Sequence, residues 1–242
     1  MCLFLLLAAG ALAQGGPPLV TDDPGTPGDG RWEINVAFLA EERSHVHLLQ
    51  TPLVDANYGW GGRVQLKIEI PWLVLKTPGM SSVNGLGNFL LGVKWRFADA
   101  DKAGVALAFY PQVEVRTFAS SVRRGLVEEH TRIFLPLAIQ KNLGPFSTNL
   151  EIGYEMRRGE KARWFGGLAL GREVSERVEL IGEAFATSST HFSDVDAAWN
   201  VGGRWKLGRR VLLLFSGGTG LRGSSEQPRA RYLGYLGAQF LF

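Results

Sequence analysis

Apolar and polar residues alternate with a period of two along most of this chain, in segments roughly ten residues long separated by turn-forming residues. In the clearest segment Val64, Leu66, Ile68, Ile70 and Trp72 share one parity, while Arg63, Gln65, Lys67 and Glu69 share the other. Successive side chains of a strand point to opposite faces, so this segment offers one face to hydrocarbon and one to water. The next repeats the pattern: Phe89, Leu91, Val93, Trp95 and Phe97 oppose Asn88, Gly92, Lys94 and Arg96, with only Leu90 out of place.

Read in this way, the chain predicts strands near 31–42, 46–58, 62–75, 87–97, 103–117, 130–142, 146–157, 162–173, 177–187, 197–207, 210–218 and 229–242. The expected fold is all-β, a transmembrane antiparallel up-and-down β-barrel of about 12 strands. An even count returns both ends of the chain to one side of the membrane. The connections support this, because Lys76 to Leu86, Phe118 to Glu129, Thr187 to Asp196 and Thr219 to Pro228 are long and polar. Those between them, such as Gly59 to Gly61, Asp99 to Lys102, Leu143 to Pro145, Val174 to Glu176 and Gly208 to Arg209, are short. Long outer loops and tight periplasmic turns alternate in this manner in outer-membrane barrels. Pro52, Pro71, Pro111 and Pro136 fall inside expected strands, where each removes a ladder hydrogen bond, so they are expected at bulges or bends.

Ahead of the strands, Leu3 to Leu12 is almost wholly apolar and Ala11-Leu12-Ala13 has the small-x-small form of a signal-peptidase site. Residues 1–13 read as a signal peptide, with a mature start at Gln14. Only Met1 and Cys2 precede the apolar run, so its basic leader is expected further upstream. Residues 14–30, rich in Gly, Pro and Asp, read as an irregular periplasmic lead-in, and 31–242 as the barrel. Cys2 is the only cysteine, so no disulfide is available. Past the signal there is no run of 18 apolar residues, which leaves strands as the means of crossing a membrane.

Composition narrows the picture further. In 242 residues, 45% apolar content with 11% aromatics excludes a disordered chain, and 31 glycines suit many turns and close strand contacts. The 26 basic and 23 acidic residues are scattered without a basic run, so no nucleic-acid partner is expected. Tryptophan prefers the membrane–water interface. In the expected topology Trp32, Trp60, Trp95 and Trp205 fall near the periplasmic end and Trp72, Trp164 and Trp199 near the outer end. The last strand carries Tyr232, Leu236, Ala238, Phe240 and the terminal Phe242 on one parity, the form of signal read by the barrel-assembly machinery. That machinery and outer-membrane lipid are the expected partners.

A family likeness rests on Thr21-Asp22-Asp23-Pro24, Gly30-Arg31-Trp32-Glu33-Ile34-Asn35, Leu86-Gly87-Asn88 and Gly92-Val93-Lys94-Trp95-Arg96-Phe97. With these motifs the chain resembles the bacterial outer-membrane β-barrel proteins related to the MetA-pathway phenol-degradation family. The resemblance covers nearly the whole mature chain. It implies a barrel and a transporter of small organic molecules, and it brings no catalytic residues to carry over.

The candidate functional residues are the inward-facing polar ones: Arg63, Lys67, Glu69, Lys94, Arg96, Glu114, Arg116, Glu151, Glu155, Glu179, Glu183, Arg204 and Lys206. Twelve strands enclose a lumen between the filled eight-stranded barrel and the open sixteen-stranded porin, so a narrow or partly plugged passage is expected. Mixed charge argues against a filter of one sign. The alternative is that these charges pair and simply fill a structural barrel. An enzyme is the rival class, its best constellation being His191 with Ser189, Ser193 and Asp194, but no nucleophile motif surrounds it. His45 and His47 share a strand face without a companion carboxylate in sequence, and Asp22-Asp23 and Asp99 with Asp101 read as turn formers. No metal or cofactor is expected. The expectation is an outer-membrane channel or transporter for small molecules, organic ones included, with a structural barrel or a lipid-hydrolysing barrel as alternatives.

Overall fold

In a computed structural model, residues 16–225 and 227–242 are described. The expected signal peptide and the start at Gln14 lie outside them. Fourteen antiparallel strand segments close into a ring: β1 (Trp32–Arg43), β2 (Val46–Trp60), β3 (Val64–Lys76), β4 (Val83–Leu86), β5 (Phe89–Ala98), β6 (Ala106–Phe109), β7 (Gln112–Val115), β8 (Arg132–Leu143), β9 (Phe146–Arg157), β10 (Arg163–Ser175), β11 (Val178–Ser189), β12 (Val195–Lys206), β13 (Val211–Arg222) and β14 (Ala230–Leu241). β4 and β5 both pair with β3, and β6 and β7 both pair with β5 and β8, so each of these couples is one interrupted stave. The barrel therefore has twelve staves. β1 pairs with both β2 and β14, closing the seam. There the backbone of Phe242 exchanges two hydrogen bonds with Trp32, at 3.0 and 3.2 Å. Among the described residues helix is confined to two single turns, α1 (Ala100–Ala103) and α2 (Ala119–Arg123).

The strands lie where the alternation predicts them, and the differences fall at the ends of long loops. The Thr187 to Asp196 loop shrinks to 190–194, because Thr187 and Ser188 pair with Asp196 and Val195. The Lys76 to Leu86 loop likewise shrinks to 77–82, since Val83–Leu86 pairs with β3. Polar strand ends that rise above the apolar band have no hydrophobic face, so alternation is silent there. The first outer connection is only Ser44-His45, both at positive φ (46° and 66°), a tight hairpin.

The four prolines sit where regular pairing lapses on at least one side. Pro52 lies in a bulge, marked by register shifts between Ala37 and Leu39 and between Gln50 and Leu53. Pro111 lies in the gap between β6 and β7. Pro71 and Pro136 keep register with Leu53 and Gly153 on one side and face a broken stave on the other. Each still accepts a bond across its break, from the N–H of Gly87 (2.9 Å) and of Tyr110 (3.0 Å).

Alternation resolves into two faces. Leu66, Ile68, Leu91, Val93, Leu150, Ile152, Leu168 and Leu236 point outward and are exposed, as lipid-facing residues must be in the absence of lipid. All seven tryptophans, 38–67% exposed, stand on the outside near strand ends. The inner face carries Asn35, Asp55, Gln65, Lys67, Glu69, Lys94, Glu151 and Glu183, all buried. Leu90, the residue out of step, turns inward and is 5% exposed.

Candidate functional site

The interior is occupied by the chain's own lead-in. From β1, residues 30 to 24 run back along the turn end of the barrel, where the Gly30 N–H bonds to Gly59 O at 2.9 Å and Thr26 Oγ1 to Gly62 O at 3.3 Å. Gly59 is needed for this crossing, since a Cβ there would lie 1.8 Å from Gly28 O. The chain then climbs to mid-height and turns, with Val20, Thr21 and Asp22 at the crest. Gly16 comes back beside Asp22 and Arg204.

The wall holds this plug mainly through its backbone. The Glu183 carboxylate accepts the N–H of Val20 (2.9 and 3.1 Å) and of Thr21 (2.8 Å), and Glu151 accepts that of Asp22 (2.9 Å). Arg204 donates to Pro17 O at 3.2 Å and Ser216 to Pro18 O at 2.7 Å. Lys94 Nζ donates to Asp22 Oδ1 (2.9 Å) and Asp23 O (2.8 Å) and lies 4.7 Å from the Tyr110 ring centre. Leu19 is buried against Ala169 and Ile181. A Cβ at Gly167 would stand 2.1 Å from Thr21 Oγ1, so the wall is cut back where the plug passes. Burial pushes the Asp22 carboxyl up despite the opposing Lys94 charge. Burial would raise Asp23 as well, but the Lys94 and Arg204 cations hold it below the ordinary carboxylate value.

Below the plug lies a polar chamber of about 330 Å³, lined among others by Asp23, Glu33, Asp55, Lys67, Lys94, Glu179 and Arg204. Above it is a smaller, more apolar one of about 50 Å³, bounded by Leu19, Val20, Leu39, Leu48, Leu233 and Tyr235. The loop end is roofed by residues 116–131. Leu126 packs on Leu48 and Leu73, Ser121 Oγ bonds to Leu86 O at 2.7 Å, and Arg124 reaches Asn84 O at 2.6 Å.

Of the thirteen candidate residues, Lys67, Glu69, Lys94, Glu114, Glu151, Glu155 and Glu183 are buried on the inner face. Arg96, Glu179 and Arg204 are half-buried, and Arg63, Arg116 and Lys206 reach solvent at the strand ends. They divide into local groups. Lys67 lies 3.2 Å from Glu69 and 3.6 Å from Asp55; Arg204 lies 3.2 Å from Glu179. Near the roof Arg132, 2% exposed, meets Glu128 at 2.6 Å, Glu155 at 3.9 Å and Glu114 at 4.0 Å, while Arg157 meets Glu155 at 2.6 Å. Arg63 and Arg96 both pair with Asp99 at the turn end.

No family model matches the sequence, and no curated protein matches it. Solved structures do. The COG4313 outer membrane channel from Pseudomonas putida F1 superposes with a TM-score of 0.75 at 14% identity, covering 91% of this chain and 98% of that one. The KdgM porin gives 0.60 at 12% identity, covering 86% and 99%, and the CymD monoaromatic hydrocarbon channel 0.54 at 8%, covering 98% of each. The likeness is one of fold. It is the fold of bacterial outer-membrane barrels, reached here by a sequence with little residue identity to them.

Several residues that build the plugged lumen are not marked by the alternation. Asp55 was hidden because the bulge at Pro52 switches parity: Leu48 and Gln50 are buried before it, Leu53, Asp55 and Asn57 after it. Arg43 on β1 reaches past β14 and β13 to Asp196 on β12 (3.0 and 3.1 Å), a pairing between non-adjacent staves that no local pattern encodes. Asp22 and Asp23, read as turn formers, also anchor the plug. The hydrolase constellation does not assemble: Ser193 bonds to Ser189 and Asp194 to Ser225, and among the described residues the His191 ring bonds to none of them. His45 and His47 do gain a carboxylate, Glu42 at 3.7 Å from each, but the Arg231 guanidinium lies 2.8 Å from the same carboxylate. Among the described residues no set of three or more side chains is placed to hold a metal ion.

Proposed function

We propose that this protein is an outer-membrane channel for small solutes, with the lumen as the path, the 116–131 roof at its outer mouth and the lead-in plug at its waist. The observation that carries the reading is the nature of the obstruction. A barrel filled only for stability packs its own wall residues inward. Here the waist is closed by a segment outside the barrel, held through backbone hydrogen bonds to wall carboxylates, with a polar chamber of about 330 Å³ beneath it. The names of the structural neighbours, channels and a porin, agree with this reading. Organic solutes are favoured by the leucine side of the chamber above the plug (Leu19, Leu39, Leu48 and Leu233), by the resemblance to barrels related to phenol degradation and by the cargo in the CymD name. The partners in this reading are outer-membrane lipid against the exposed apolar band and the assembly machinery acting on the Phe242 end.

The second reading, a structural barrel, draws on the ion-pair groups around Arg132 and Lys67, which fill part of the lumen. Liposome swelling and single-channel recording separate the two. The channel reading expects passage of ions and small neutral solutes, and a folded, inserted protein that passes neither overturns it.

A further inference from the structure

Glu151 and Glu183 are buried carboxylates, 4% and 5% exposed, and among the described residues neither forms an ion pair. Buried charges are normally paired with an opposite charge. Instead Glu183 is balanced by three hydrogen bonds from the plug backbone and one from Asn200 Nδ2 at 2.8 Å, and Glu151 by one from the plug. Peptide N–H groups supply partial positive charge but no net charge. Without the seated lead-in Glu151 loses this bond and Glu183 keeps only that of Asn200.

We propose that Glu151 and Glu183 are both the latch of the plug and the selectivity groups of the opened channel. When residues 17–23 withdraw, the carboxylates stay in the wall and hydrate. The mid-strand lumen then presents Asp55, Glu69, Glu151 and Glu183 against Lys67 and Lys94, and the Asp22 partner of Lys94 has left with the plug. A waist with surplus negative charge and a low-dielectric wall concentrates cations and repels anions. The opened channel therefore favours small cations, and neutral solutes pass without an electrostatic barrier. The same chemistry that grips the peptide amides when closed is what a permeating cation meets when open. This inference rests on the channel reading and adds to it the moving part and the charge preference.

The cut-back wall provides the test. The Cβ position of residue 167 lies 3.3 Å from Thr21 Cβ, close to the separation of roughly 3.5–4.5 Å that a disulfide spans. In a Cys2→Ser background, Thr21→Cys with Gly167→Cys is refolded as the full chain, checked for barrel formation by heat-dependent gel migration, and recorded in planar bilayers under a KCl gradient. The oxidised protein is expected to be silent. After reduction it opens, with a reversal potential of the sign set by cations. Adding Glu183→Gln, which keeps an acceptor oxygen but removes the charge that takes the Val20 and Thr21 N–H groups, raises the open probability roughly tenfold, as charge-assisted bonds become neutral ones. It also moves the reversal potential towards zero. Equal conductance before and after reduction, or anion preference, overturns the inference while leaving a channel; silence in every state overturns the channel reading with it. If the double-cysteine protein does not fold, Thr21→Cys alone serves: an impermeant maleimide should modify it roughly tenfold faster in the glutamine background. Equal rates overturn the latch.

Discussion

If the outward face of the barrel lies in hydrocarbon, an arginine at Ile152 must cost more than the same change at the end of a stave. Ile152 is 47% exposed and lies six residues along β9 from Phe146. At ~3.3 Å per residue and a strand tilt of roughly 40°, that is about 15 Å along the membrane normal, near the middle of an apolar band roughly 25 Å tall. Arginine facing lipid at that depth costs about 2–4 kcal/mol. Leu143, 54% exposed at the turn end of β8, is equally outward but lies at the interface, where the cost falls to about 0–1 kcal/mol. The assay is reversible denaturant unfolding in phospholipid vesicles, followed by tryptophan fluorescence, for Ile152→Arg, Leu143→Arg and the parent. Equal losses at both positions, or none at either, would refute a membrane-spanning outer face. In detergent micelles, which adapt their thickness, the gap between the two variants should narrow.

Other outcomes follow from the interior. Arg132→Met leaves Glu114, Glu128 and Glu155 without their shared cation and should lower stability by about 3 kcal/mol. It should also speed tryptic cleavage at Arg123 and Arg124 as the roof loosens. Leu214→Ala, at a site with no exposure among Leu39, Leu53 and Tyr235, should cost about 2–5 kcal/mol in the same unfolding assay. Asp22, whose pKa is raised on seating, makes seating less favourable as pH rises through the ordinary carboxylate range, whereas the lowered Asp23 favours seating above that range. Hydrogen exchange of residues 16–30 should therefore slow as pH falls from 7 toward 5, above the range in which the wall carboxylates lose their charge in bulk, after correction for the intrinsic rate, and Asp22→Asn should flatten that slope. Phe242→Ser should reduce the yield of inserted barrel in cells while leaving refolding in vitro intact, because the Phe242 backbone, which closes the seam, is kept.

The barrel was legible because hydrocarbon on one side and water on the other impose alternation on every stave, as in Val64 to Trp72. Alternation falls silent where that contrast ends. It missed the strand ends around Thr187 and Val195, which stand above the apolar band, and it lost Asp55 behind a bulge that swaps the two faces. The plug was legible only as composition. Its Gly, Pro and Asp residues announced an irregular segment, but its binding to Glu151 and Glu183 uses main-chain N–H groups, which every residue but proline possesses and no side-chain pattern reveals. The inward parity of the two glutamates was readable; what they hold was not.

The four prolines and two broken staves all fall between β2 and β8, while β9 to β14 zip together with a single bulge in each of two pairs. The cylinder is thus mechanically uneven, a compliant arc joined to a stiff one. When the surrounding bilayer is too thick or too thin, or its lateral pressure changes, the distortion will gather in the arc with fewer cross-ties. Its cross-section will flatten along a fixed direction rather than shrink uniformly.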